Sequence, residues 1–543
     1  MKPTIQILFF ALQIRCIASL VLFLLIQTTL ADILTVKQDS TGDYTVIQDA
    51  INGSSDGDTV LVWPGIYYEN VDFTGKNITL SSRMMTTNNP AFRFNTIIDG
   101  NHSGTCVLIN SDETNAVLFG FTIQNGSGYD EFQDGETSGG GIFVTRADCE
   151  IFNCIIKNNF ANYGGGGGIY IGFYCEVYLS GNSIFNNHCY NTGGGMFFGF
   201  STAVFDSVNR NSIYSNYASK GCELAKNTED TLRLFLDTCT VSEPDNYFLY
   251  SVGPDGFHKK DIEPIITNSL LIPVDSNLYV NPEIGSNDNI GLSWEEPLKT
   301  IAYAYSKIAI DSLEKNTIYL ADGIYSDTMN GEKFPLNVRP YIKVEGSSRD
   351  STILDGEYKS RLLKGNNEVS EYGFSKMTLR RGTNVIYNNH FINYSGLVFS
   401  YINNNISFDS IHFSQGHSYG AYAGVSIIGC NNTVFNNCEI SGHLGGAAMI
   451  VGLWGDYETC FINNCKFISN KPDTLDPELI KPGRGLVITG SLGIGVVTNS
   501  LFVDNDWQAF LSSSAAFNYL VNCTFVDNSY WKKENVLGIS ESS

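Results

Sequence analysis

Two short stretches near the C-terminal end carry residue types that suit chemistry on a sugar. Asp504-Asn505-Asp506-Trp507 sets two carboxylates two positions apart beside an indole, and Asp527-Asn528 repeats the acidic start. Paired carboxylates act as general acid and base or supply oxygen ligands for calcium. An indole gives the apolar face of a sugar a surface to stack on. Trp454-Gly455-Asp456-Tyr457 offers a similar combination in an earlier loop. Trp454, Asp456, Tyr457, Asp504, Asp506 and Trp507 are therefore the candidate carbohydrate-binding residues. Their competing role is architectural, because Asp and Asn make turns and Trp507 would cover the end of a layer. Turn-making outweighs catalysis here, so no catalytic residue is assigned.

The remaining reactive side chains give weaker patterns. The seven His are scattered; His412 and Glu439 read as an exposed pair on neighbouring strands rather than a metal site. Arg380-Arg381 is the only pair of adjacent arginines and reads as a solvated turn with no acidic cluster adjoining it in sequence. Thirteen Cys are present. Cys149 with Cys175, and Cys438 with Cys465, fall on equivalent repeat positions, where a disulfide would be sterically allowed; a Cys position alternating with Ser reads better as small buried thiols. With no Cys-x-x-Cys, a zinc site has no support, and metal ligands stay unassigned. No cofactor is evident, although calcium would suit the carboxylates.

These residues sit in a long chain whose ends and charge limit the options. At 543 residues it exceeds one ordinary core. Residues 1–31, with Lys2 and Arg15 flanking apolar runs and Thr29-Leu30-Ala31 at the end, read as a cleaved secretory signal peptide. The formal net charge is −23, which becomes −25 once Lys2 and Arg15 are removed. That field disfavours nucleic acid and anionic membrane surfaces, and disfavours polyuronates unless divalent cations bridge them. No later segment is long and apolar enough for a transmembrane helix. Secretion, or display on a cell surface, is the expected location. The Cys523 repeat lies close to Ser543, which would fit a chain that continues further.

Two segments read as copies of one opening module. The first runs from Tyr44-Thr45-Val46-Ile47-Gln48-Asp49-Ala50-Ile51 to Thr96-Ile97-Ile98-Asp99-Gly100, the second from Pro297-Leu298-Lys299-Thr300-Ile301 to Thr352-Ile353-Leu354-Asp355-Gly356. Each starts with a short amphipathic helix pattern, which would shield an open sheet end. Quasi-periodic repeats follow, the mark of a solenoid. Ile142, Ile169 and Met196 recur at steps of 27 residues. Asn-(Cys/Ser)-x-apolar recurs at Asn153, Asn182 and Asn211, and again at Asn437, Asn464, Asn499 and Asn522. Alternation turns Cys438, Cys465, Ser500 and Cys523 inward, with Ile440, Phe467, Phe502 and Phe525 two residues on. Glu439 and Lys466 then face out as neighbours, and the Asn column takes the bends, where left-handed backbone is tolerated. The fold class is all-β: two tandem right-handed parallel β-helices, each opened by a short capping helix. The first covers 32–251, a join covers 252–274, and the second covers 275–543.

The opening modules resemble those of the pectin-lyase-like superfamily of right-handed parallel β-helix proteins. Tyr-Thr-x-Ile-Gln-Asp-Ala-Ile and Pro64–Val71 are similar to the start of pectin methylesterases. Tyr279-Val280-Asn281-Pro282 through Pro297-Leu298-Lys299-Thr300-Ile301 resembles a module of secreted bacterial β-helix proteins. The Gly-Gly-Gly-Ile phrases are similar to repeats of polymorphic outer-membrane proteins. The resemblance implies fold more than activity. Asp130–Glu136 lacks the methylesterase arrangement, and Gly416-His417-Ser418 and Gly442-His443-Leu444 fall short of the Gly-His-Gly of polygalacturonases. The functional expectation is recognition of polysaccharide or another surface without turnover. The alternative is a polysaccharide lyase or glycoside hydrolase with divergent catalytic residues.

Overall fold

The computed structural model of the chain describes residues 31–543, apart from 163, 229, 252–260, 366–369, 384–395, 418–421, 454, 456–457, 473–483, 491–492, 507, 514–516, 529–536 and 541–543. Its strands pair in parallel, coil upon coil. One stack holds a seven-stranded sheet from Ile33–Val36 to Thr202–Phe205 and an eight-stranded sheet from Gly65–Tyr68 to Ile262–Ser269. A second seven-stranded sheet runs from Val71–Asp72 to Leu249–Ser251, and a three-stranded sheet joins Phe160–Ala161, His188–Thr192 and Tyr217–Lys220. The other stack begins at Leu278–Val280 and holds a fifteen-stranded and an eight-stranded sheet. Among the described residues no strand of one stack pairs with a strand of the other. Ile262–Ser269, inside the stretch that sequence reads as a join, is the last strand of the first stack and pairs with Leu232–Cys239. It is paired on one side only and largely exposed.

Alternation places the core. Cys438, Cys465, Ser500, Ile440, Phe467 and Phe502 are buried, while Glu439 and Lys466 pair on the outer face. Columns of like residues follow. Phe467, Phe502 and Phe525 stack with 4.7 Å between successive centroids and rings within 9° of parallel. Ile142, Ile169 and Met196 are register partners, as their spacing demands.

The duplication in sequence is repeated atom for atom. Glu69 accepts from the amides of Ile47 and Gln48, at the start of the helix Ile47–Gly53. Glu332 accepts from Ile301 and Ala302, at the start of Ile301–Lys307. Each carboxylate satisfies helix amides that have no partner within the helix. Tyr67 Oη donates to the carbonyl of Trp63, and Tyr325 Oη to that of Ala321. Asp99 holds Gln124 and Asn125; its counterpart Asp355 holds Arg380 and Arg381. The arginine pair is therefore not a solvated turn. Its acid lies one coil back, 25 residues away in sequence, and has no exposed side-chain surface.

Asparagine does two separate jobs. Asn437, Asn464, Asn499 and Asn522 sit at bends with φ between 51° and 55°, and their amides join across coils at the surface. A second set is buried. Asn187 Oδ1 accepts from the amide and Nδ2 of Asn159, while its own Nδ2 donates to the Ile156 carbonyl and to Asn216 Oδ1. Asn182 with Asn211, and Asn470 with Asn505 and Asn528, repeat this pattern. This shifts the first-stack repeat by one residue from the alignment that spacing suggests. Ile155 pairs with Ser183, so Cys154, and not Asn153, is the counterpart of Asn182. Gly181, at φ 68°, takes the left-handed bend that Asn153 occupies one coil earlier. Cys149 is also out of the register that spacing suggests, with Val177 and not Cys175 as its partner; all twelve described Cys are free thiols.

Glu223 ends the ladder, accepting from Asn216 Nδ2 at 2.7 Å and from Thr240. Burial pushes its carboxyl up to about 7, against the pull of those hydrogen bonds. The folded state then holds the proton more tightly than the unfolded state. The resulting stabilisation is complete below the ordinary value of 4.5 and is lost as pH rises through about 7. Thermal unfolding from pH 4.5 to 7 should show a flatter profile for Glu223→Gln than for the wild type; equal slopes would contradict this. In denaturant, Asn187→Ala should lose about 3 kcal/mol, because several buried bonds vanish and leave their partners unmet. Asn464→Gly, which keeps the bend and removes only an exposed amide, should change stability by less than about 1 kcal/mol.

Candidate functional site

The structure separates the two acidic residues of the Asp504–Asp506 triplet by a committed asparagine. Asn505 is buried in the ladder, while Asp504 is exposed on a left-handed bend with φ 51°. Asp504 accepts from Ser469 Oγ at 2.8 Å and lies 3.7 Å from Lys471 Nζ. The amide of Asp506 donates to the Asn470 carbonyl. Trp454, Asp456, Tyr457 and Trp507 lie outside the described residues. Among the described residues, no three His, Cys, Asp or Glu side chains are placed to hold a metal ion.

The histidines resolve cleanly. His412 and Glu439 are register partners 3.6 Å apart on the outer face. His443, in the phrase nearest to Gly-His-Gly, is buried and substitutes for a ladder asparagine. Its Nδ1 accepts from the Gly416 amide and its Nε2 donates to the Phe413 carbonyl, while its own amide donates to Asn470 Oδ1. Burial lowers its pKa to about 4, so the neutral ring that this bonding requires is the stable form.

The stacked aromatic columns are also poor sugar platforms, and Phe143 at the start of one is buried. Phe143, Tyr170 and Phe197 stack on one another with centroids 4.9 and 5.5 Å apart, and Phe185 stacks on Tyr214 at 5.1 Å. Rings that cover each other's faces leave only edges for a ligand.

A better-formed concavity lies where the two stacks meet. Tyr217 Oη donates to the Pro335 carbonyl at 3.0 Å across this seam. Arg339 bonds Asp245 at 2.5 Å and lies over Tyr247. Beside these contacts is a cleft of about 540 Å³, within the usual range for small-ligand sites. On its first wall, Asn125, Asn158 and Asn186 share one left-handed bend on successive coils, with φ 57°, 54° and 55°. Asn158 and Asn186 are exposed, and their amides make no hydrogen bond among the described residues. Below them Phe160, His188 and Tyr190 meet edge to face. Burial drives the His188 pKa down to about 3, with Lys333 adding to the effect, and its Nε2 has no hydrogen-bond partner.

The opposite wall belongs to the second stack, with Asp327, Lys333, Phe334, Asp355 and Lys359. Its acids are engaged. Asp327 lies 3.1 Å from Lys359 and 3.8 Å from Lys333. Burial alone would raise the Asp355 carboxyl, but Arg381, the Glu357 amide and Arg380 bring it below its ordinary value. Glu332 is pushed up to about 7 by burial, the range of a general acid. Its oxygens, however, face the helix amides of Ile301 and Ala302. Periodicity within one stack could not reveal a cleft built from both. The recurring doublets Asn158-Asn159 and Asn186-Asn187, each followed by a ring, were the available signal: the first Asn faces the cleft and the second builds the ladder.

No family model and no curated protein matches the chain. Among solved structures it is similar to pectin methylesterase PemA from Erwinia chrysanthemi, at 12% identity over 49% of this chain and 93% of that one, with a TM-score of 0.27. It is also similar to the Streptococcus pneumoniae surface protein and adhesin PfbA, at 10% identity over 91% and 95%, TM-score 0.23. A third is the PL6 family alginate lyase AlyGC, at 9% over 94% and 99%, TM-score 0.24. The fold assignment rests on the strand pairing, and likeness at this level carries nothing about activity.

Asp355→Asn should lower stability by about 1–2 kcal/mol at neutral pH, because it removes the buried acceptor of two partly exposed arginines. The wild-type advantage is present above the ordinary carboxylate range and is lost as pH falls through the lowered value. A variant as stable as the wild type at neutral pH would contradict the ion cluster.

Proposed function

We propose that this is a secreted or cell-surface protein that recognises polysaccharide, or another surface, without turning it over. In this reading the chain comprises two tandem right-handed β-helices, over 32–251 and 275–543, each opened by its short helix. The observation that carries it is the makeup of the seam cleft. Free side-chain amides and ring edges suit sugar hydroxyls and the apolar C–H faces of a saccharide. The carboxylates there are tied to arginine, lysine or helix amides, and the histidine at the wall is held neutral. A pair of free acids, which glycosidic cleavage uses, is missing from the groups described in the cleft. No helix among the described residues is long and apolar enough to cross a membrane. The flank at Asp504 and Asp506 remains a second contact surface, with calcium as an ion its carboxylates would suit.

A panel of polysaccharides tests the reading. Binding should be seen without release of unsaturated product or reducing ends. Asn158→Gly with Asn186→Gly should weaken it about tenfold or more, while leaving the unfolding temperature within a few degrees. Turnover that disappears in Asp504→Ala or Asp506→Ala would overturn the proposal in favour of an enzyme.

A further inference from the structure

Next to Tyr190 and Ser360, on the two walls of the cleft, the chain continues into Asn191 and Arg361, part of a cluster that glycan recognition does not explain. Lys364 reaches across the seam. Its Nζ donates to Ser219 Oγ at 3.0 Å and to Asn191 Oδ1 at 3.4 Å, both on the first stack. Lys220, the neighbour of Ser219, lies with its Nζ 5.2 Å from the centre of the Tyr250 ring. The Arg361 guanidinium lies 5.2 Å from the Phe399 ring, and Phe399 is the strand partner of Lys364.

The chain has 56 acids against 33 bases, yet neither lysine of this cluster has a carboxylate partner among the described residues. The cations oppose each other. Burial pulls the Lys364 ammonium down, and Lys220 and Arg361 pull it further. Two partly buried ammonium groups that oppose each other, neither with a carboxylate partner among the described residues, add little to stability. Donors remain over as well. An ammonium has three, of which Lys364 uses two and Lys220 only faces a ring.

We propose that Lys220, Lys364 and Arg361 form an oxyanion-binding site, for a sulfate or carboxylate group, at the seam between the two stacks. The oxygens of the anion would accept from the remaining lysine donors, with the Arg361 charge behind them, as charge-assisted hydrogen bonds. Because Lys220 lies on the first stack and Lys364 and Arg361 on the second, a bound anion would also clamp the stacks together. The site lies beside the glycan cleft but does not depend on that reading, since a free anion and an acid group carried on a saccharide offer the same chemistry.

The full mature chain should be unfolded thermally in sodium sulfate and in sodium chloride of matched ionic strength, and in a sulfated oligosaccharide and its unsulfated parent. A saturable rise in Tm with sulfate over chloride is expected if a free anion fills the site. A rise only with the sulfated oligosaccharide assigns the site to an acid group on a glycan. In either case Lys364→Met and Lys220→Met should each weaken the effect about tenfold, with the chloride Tm of at least one variant kept. No rise with either anion, or an undiminished rise in both variants, would overturn the site. Failure here with glycan binding intact would leave the cleft proposal standing.

Discussion

The structure depends on one bridging interaction, repeated from coil to coil. A side-chain oxygen or ring nitrogen on one coil accepts from a turn amide of the coil before, and the same side chain donates to a carbonyl three residues upstream of that amide. Asn159 does this for Gly126 and Ile123, Asn187 for Asn159 and Ile156, and Asn505 for Asn470 and Phe467. Backbone pairing alone would tolerate a slip along the strands. A slip would leave each of these buried amides unmet, which is unfavourable in a low-dielectric core. The ladder therefore fixes the register in which every other column forms.

At its ends the ladder uses groups with different proton chemistry: His443 takes an asparagine position and keeps its bonding, whereas Glu223, in the column of Gly195, only accepts. His443 serves as a neutral ring at the start of one ladder, and Glu223 ends another. Both have displaced pKa values, as active sites often do, and in both the cause is burial within a structural ladder. Glu332 belongs with them, since its raised carboxyl closes the start of a helix. Displaced titration marks the architecture of this chain more often than its chemistry.

Much of the architecture was legible because it obeys period two and repeats. The opening modules, the inward Cys438–Cys465–Ser500 column and the Ile142–Ile169–Met196 column all follow from alternation and spacing. The first-stack slip at Asn153 shows the limit, because Gly181 and Asn153 fill the same bend and sequence spacing counts them differently. Ile262–Ser269 escaped because an edge strand paired on one side buries little, with only Ile262 and Ile266 packing against the core. Asp355 and its arginines escaped because partners one coil apart are distant in sequence. Of the candidate site, Asp504 was legible as a turn, while the seam cleft was not, since no period within one stack encodes how two stacks touch. The Asn-Asn doublets carried half of it.

The same register links fold to function. It places the bends of Asn125, Asn158 and Asn186 one above another, so their side chains form a wall, and it brings Lys364 opposite Ser219 at the seam. If the ladder holds that wall, the amides it engages should be among the slowest in the protein to exchange with solvent. Native-state hydrogen exchange resolved to single residues tests this directly. The amides of Gly126, Asn159, Asn187, Gly416 and Asn470 should exchange only through global unfolding. Exchange at these positions as fast as at the exposed bends of Asn464 and Asn499 would contradict the claim that the ladder sets the register.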